Sequence, residues 1–115
     1  ITQFPGGGLE LGEGPMDGLK RELREEMDVE AVDLDHFYTT DFFQQSAYDE
    51  SDQLISIYYA FNVADVQALP FGMDSFGGNG AGSEWFRWID LATASAEMMS
   101  LPVDRIVLAL LTSRC

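Results

Sequence analysis

The sequence predicts an α/β fold: an α/β/α sandwich in which a mixed β-sheet lies between two helices. Three stretches predict it. From Pro15, apolar residues recur three and four apart, as on one face of a helix. From Leu54 to Val63 the chain alternates with period two, Ile55, Ile57, Tyr59, Phe61 and Val63 opposing Leu54, Ser56, Tyr58, Ala60 and Asn62. Apolar residues on both faces mark a central strand covered on two sides. A second amphipathic pattern opens at Pro102, where Val103, Ile106, Val107, Leu110 and Leu111 form a stripe. At 115 residues the chain forms one domain, residues 1–115, long enough for a core of its own.

Taken in order, Ile1 to Phe4 end a strand that runs into Gly6, Gly7 and Gly8. Glycine lets the main chain turn tightly and approach a ligand or ion. Gly14 can cap a helix and Pro15 suits its first position, because the missing N–H would lack a partner there anyway. Met16, Leu19, Leu23 and Met27 then form the apolar stripe, while Glu22, Glu25 and Glu26 gather on a neighbouring face. Three like charges side by side destabilise a helix unless a cation sits among them. Carboxylate oxygens on a rigid element are the ligands that Mg²⁺ or Mn²⁺ accepts. Gly18 leaves open space beside that face, room for a ligand.

After the helix, His36 to Phe43 is rich in aromatic and β-branched residues and is expected to be a strand. His36 is expected to be structural, and Asp41 carries no assignment. Gln44 to Gln53, with Asp49, Glu50 and Asp52, is expected to be a solvated turn; the alternative is a loop overhanging the site with an extra ligand or base. Ala64 to Ser83 loses periodicity and carries five glycines, as either a flap beside the site or a disordered loop. Glu84 to Asp90 resumes a strand, Leu91 to Leu101 is irregular or a short helical turn, and the final helix is packing without chemistry.

Composition narrows the functional classes. Twenty acidic residues against six basic give a formal net charge of −14, a surface that repels nucleic-acid polymers. A small phosphorylated substrate can still bind where metal ions neutralise the local field. The lysine-poor, acidic balance also resembles that of proteins from salty cytoplasm. No apolar run approaches the roughly 20 residues that span a bilayer and no secretory signal opens the chain, so no membrane partner and a cytoplasmic location are expected. The single cysteine, Cys115, allows no internal disulfide and no thiolate metal site.

The segment from Gly7 to Val29 resembles the Nudix box, G-x5-E-x7-R-E-U-x-E-E-x-G-U with U aliphatic. Gly7, Glu13, Arg21, Glu22, Leu23, Glu25, Glu26 and Val29 occupy motif positions, and Asp28 stands where the motif has glycine. That glycine ends the helix in a left-handed conformation, which Asp adopts at some cost. The resemblance implies a Nudix hydrolase in which Glu22, Glu25 and Glu26, with the Gly8 carbonyl, hold Mg²⁺ or Mn²⁺. It also implies that Arg21 pairs with Glu13 and holds the loop against the helix. The antimutator branch closes a glycine-rich loop with a Glu-Trp pair, which Glu84-Trp85 is similar to. Glu84 is then a further ligand or the general base, or else an ordinary strand-end carboxylate. Trp85 stacks on a base or ribose, or else packs in the core. Such domains have a further strand and hairpin upstream, so the expectation is either that the sequence starts late, as a shortened piece, or that the missing edge is supplied otherwise, a homodimer being one way.

The implied reaction is metal-dependent hydrolysis of a diphosphate linkage in a nucleoside diphosphate joined to another group. The ADP-ribose branch places a proline where Gln45 stands, and the dinucleoside polyphosphate branch a tyrosine where Ser46 and Ala47 stand. The NADH branch's proline-rich array is also missing, which leaves nucleoside triphosphates or nucleotide sugars. The alternatives are a non-catalytic nucleotide-sensing module, which loss of box carboxylates would favour, or a chain that folds without activity. All the box carboxylates are present.

Overall fold

The computed structural model describes residues 3–46, 49–64, 76–77, 85–86 and 89–113, with the backbone alone at 76–77 and 85–86. Helix α1 spans Pro15–Met27, with Gly14 as its N-cap and Pro15 in the first turn. Both ends fall where the capping residues direct. Asp28 takes the left-handed conformation, φ 54° and ψ 43°, and its N–H returns to the Arg24 carbonyl. The Val29 N–H reaches back to the Leu23 carbonyl at 3.3 Å, a six-residue closure typical of glycine-ended helices. Aspartate thus performs the turn that glycine performs in the motif.

Strand β1, Ala31–Thr39, pairs antiparallel with β2, Ile57–Val63, from Ala31 opposite Val63 to Thr39 opposite Ile57. β1 begins five residues before the expected His36 and ends before Phe43. Its early half hides from a period-two reading because the register shifts between Val32 and Asp35 and again between His36 and Tyr38. Asp33 sits at φ 55° in the first shift, a conformation Asp tolerates through its short polar side chain. Beyond Thr39 the hairpin continues without regular strands: the Thr40 N–H bonds the Ser56 carbonyl and the Leu54 N–H bonds the Gln44 carbonyl. At its tip Asp49 accepts from the Ser51 N–H and hydroxyl, so 49–53 is a solvated turn.

A second antiparallel pair joins β3, Phe76–Gly77, to β4, Trp85–Phe86. The pairings among the described residues are all antiparallel, so the parallel pairing of a mixed sheet is not among them. Phe76–Gly77 also gives the expected long loop a short strand. A 3-10 turn, Ala96–Met98, precedes helix α2, Pro102–Ser113. The helices and the antiparallel hairpin together make an α/β fold of the expected class.

Among the described residues, the buried apolar ones are Leu23 on α1, Val29 and Ala31 after it, Met99, and Val103, Val107 and Leu108 on α2. Burial corrects two sequence expectations. No β2 residue is buried and Ile57 is 40% exposed, so β2 lacks the two-sided cover that its alternation suggested. On α2, Ile106 is 38% exposed while Asp104 is only 3% exposed. The buried face therefore runs through 103, 104, 107 and 108, rotated from the expected stripe. An acid can lie on it because Asp104 is hydrogen-bonded, accepting the Tyr58 hydroxyl at 2.5 Å and the Phe4 N–H at 3.4 Å.

Burial pushes the Asp104 carboxyl above its ordinary value, against the opposing pull of these two hydrogen bonds. Tyr58 is raised as well, first by its own burial and then by the hydrogen bond it gives Asp104. A raised acid prefers its proton in the folded state. The stability it contributes is complete below the ordinary carboxylate value of 3.8 and is lost as pH climbs past the raised one. Asp104→Asn keeps an acceptor for Tyr58 and cannot ionise, so wild type is expected to lose stability relative to this variant as pH rises above the ordinary carboxylate value of 3.8. Urea denaturation below and above that value checks it. At the helix end, Asp28→Gly relieves the left-handed cost and is expected to raise unfolding free energy by about 0.5–1 kcal/mol. Thermal and chemical denaturation would show this shift.

Candidate active site

Arg21 projects from the middle of α1 into the glycine loop, and its three nitrogens each find oxygen. Nε donates to Glu13 Oε2 at 3.0 Å and Nη2 to Glu13 Oε1 at 2.7 Å, a bidentate fork. Nη2 also donates to the Gly8 carbonyl at 3.1 Å. Nη1 donates to Glu22 Oε1 at 3.0 Å and to Glu25 Oε2 at 3.1 Å. Glu10 stands further off, at 3.6 Å from Nη1. One guanidinium therefore binds the loop to the helix and holds two helix carboxylates beside a main-chain oxygen.

The loop is shaped to allow this. Glu13 Oε1 accepts the Glu10 N–H at 2.8 Å, closing the turn over Gly12, whose φ of +96° favours glycine. A Cβ on Gly7 would lie 2.5 Å from the Glu22 carboxyl carbon, so the missing side chain makes space for that carboxylate. Gly18, buried on α1, does the same for its neighbours: a Cβ there would lie 2.4 Å from a Leu9 methyl and 3.1 Å from Glu13 Oε1. The expectation that Gly18 leaves room for a ligand is therefore corrected, since Leu9 and Glu13 fill that space.

Electrostatics follow the same pattern. The Arg21 hydrogen bonds hold the Glu13 carboxyl below its ordinary value, aided by the Glu10 N–H, and Glu13 in turn raises Arg21. Glu13 and Glu22 side chains are each 15% exposed and Glu25 59%, so Glu25 is the more open of the two helix carboxylates that Arg21 holds. Glu26 is half-buried on the following position. Among the described residues, no group of three or more His, Cys, Asp or Glu side chains stands together in a way that could hold a metal ion. Arg21 draws Glu22 and Glu25 to itself. The donor set nonetheless fits a hard divalent cation in its chemistry: two carboxylates and a carbonyl, all oxygen, gathered around one positive charge.

The remaining candidates lie elsewhere. Glu84 is outside the described residues, and Trp85 enters β4 by its backbone, paired with Gly77. His36 meets the Thr39 hydroxyl at 2.7 Å and the edge of the Tyr59 ring. Asp41 accepts from the Tyr38 hydroxyl at 3.4 Å. Sequence reasoning missed Leu9 and Glu10, which belong to no periodic pattern and gain their roles from the loop's path.

Gly7→Ala is expected to swing the Glu22 carboxylate off Arg21 and to lower the unfolding midpoint slightly. Chemical denaturation, with the Arg21 Nε resonance as a local probe, measures it.

The family model described as the NUDIX domain matches residues 1–111. No curated protein and no solved structure matches the chain. A Nudix domain supports a pyrophosphohydrolase-type function on nucleotide-type substrates, and hydrolases of this kind generally use divalent metal ions. No helix among the described residues is long and apolar enough to cross a membrane. With nearly its whole length matched and an Arg21-centred box joining loop to helix, the chain belongs to the Nudix hydrolase family.

Proposed function

We propose that the protein is a cytoplasmic, metal-dependent pyrophosphohydrolase that cleaves a diphosphate linkage in a nucleoside triphosphate or a nucleotide sugar. The observation that carries this reading is the convergence of Glu22, Glu25 and the Gly8 carbonyl on one cationic group at the loop–helix junction. In this reading Glu22, Glu25, Glu26 and the Gly8 oxygen hold Mg²⁺ or Mn²⁺. When bound there, such a cation would supply charge neutralisation at the phosphoryl oxygens and would ease loss of a proton from water.

The chain's own groups do the rest. Arg21 fixes the Glu22 and Glu25 rotamers, with Glu13 and Gly7 supporting that arrangement from the loop. Glu25, the more exposed of the two carboxylates on Arg21, is a candidate to take a proton from an attacking water, and Glu84 is the other. Trp85 is the candidate for stacking on the base or ribose.

A phosphate-release screen over nucleoside triphosphates, nucleotide sugars, ADP-ribose and dinucleoside polyphosphates, with Mg²⁺ and with Mn²⁺, tests the proposal. Turnover is expected on the first two classes and is expected to vanish on chelation. Glu25→Gln and Glu26→Gln keep shape and lose charge, so each is expected to lower kcat on the order of a hundredfold or more while the unfolding midpoint stays near wild type. Undiminished kcat in both variants would refute the metal assignment.

A further inference from the structure

Asp104 lies at the first turn of α2, outside the box, and both of its oxygens are engaged. Oδ1 accepts the Tyr58 hydroxyl of β2 and Oδ2 accepts the main-chain N–H of Phe4. The Phe4 ring also meets the Tyr58 ring edge-on, with centroids 5.9 Å apart. Burying a carboxylate is costly unless its oxygens are satisfied, and a hydroxyl alone could be met by a neutral acceptor. The second oxygen serves Phe4, three residues before Gly7 and four before Gly8. Pro5 stands between and restricts the path, so fixing Phe4 limits where Gly7 and Gly8 can lie. At the loop's other anchorage Arg21 grips the Gly8 carbonyl and the Glu22 carboxylate fills the space beside Gly7.

We propose that Asp104 is a positioning residue: by tying the start of the glycine loop to β2 and α2, it holds the Gly8 carbonyl and the Gly7 gap in register with Arg21 and Glu22. Only the metal readout of its test rests on the function proposed above. Asp104→Ala, Asp104→Asn and Tyr58→Phe would be compared with Leu108→Ala, which weakens the same helix from a buried apolar position and leaves both Asp104 hydrogen bonds with their donors and acceptors. The measurements are Mn²⁺ titration and ¹⁵N order parameters of Gly6 to Gly8, taken where each variant is fully folded.

Asp104→Ala is expected to weaken Mn²⁺ binding about tenfold. It is also expected to lower the order parameters of Gly6 to Gly8 below about 0.6. Asp104→Asn should fall between it and wild type, and Leu108→Ala should move neither readout. Equal loosening in Leu108→Ala, or an unchanged loop in Asp104→Ala, would overturn the proposal. If wild type binds no Mn²⁺, the metal assignment fails and the order parameters alone decide the role of Asp104. If Asp104→Ala does not fold, Tyr58→Phe carries the test, with lowered order parameters supporting the proposal and unchanged ones refuting it.

Discussion

The fork between Arg21 and Glu13 is the contact on which the rest of this domain's organisation depends. A helix that carries Glu22, Glu25 and Glu26 on adjoining positions has no reason to bring them near a main-chain carbonyl. One guanidinium supplies that reason by donating to Glu13, Glu22, Glu25 and Gly8 together. Arginine suits the task better than lysine because its donors are planar and fixed relative to one another. In a chain with six basic residues against twenty acidic ones, one of them is committed to this junction, within 3.6 Å of four carboxylates, Glu10, Glu13, Glu22 and Glu25.

Much of this was legible in the sequence because it is local. Gly14 and Pro15 set one end of α1, and the spacing of Glu22, Glu25 and Glu26 placed them on one face; the end at Asp28 came from the motif. The Arg21–Glu13 pairing came through the family resemblance, since residues 8 apart across a loop and a helix share no simple periodicity. What could not be read depends on tertiary surroundings. β1 hides its first half behind two register shifts, one of them at left-handed Asp33. The buried face of α2 passes through Asp104, which periodicity assigns to solvent and which burial tolerates only because Tyr58 and Phe4 arrive from distant parts of the chain.

The three carboxylates of the helix likewise show what spacing can and cannot supply. Spacing puts them on adjoining positions but says nothing about which positive group draws them in. Arg21 takes two of them, and their exposures diverge as a result: Glu22 is folded in against Gly7 while Glu25 remains open to solvent. The same side-chain chemistry thereby occupies two environments a single turn apart, a division of labour that the identical residue types conceal.

The seat of Leu9 over Gly18 has a mechanical consequence. With its methyl group lodged where a helix residue would ordinarily carry a side chain, the loop rests on the helix barrel by shape as well as by charge. Ions and acidity can weaken the charged clasp at Arg21, yet they leave this knob-in-socket seat intact. The two attachments respond to different insults, the charged clasp to ions and acidity and the Leu9 contact to changes of side-chain volume.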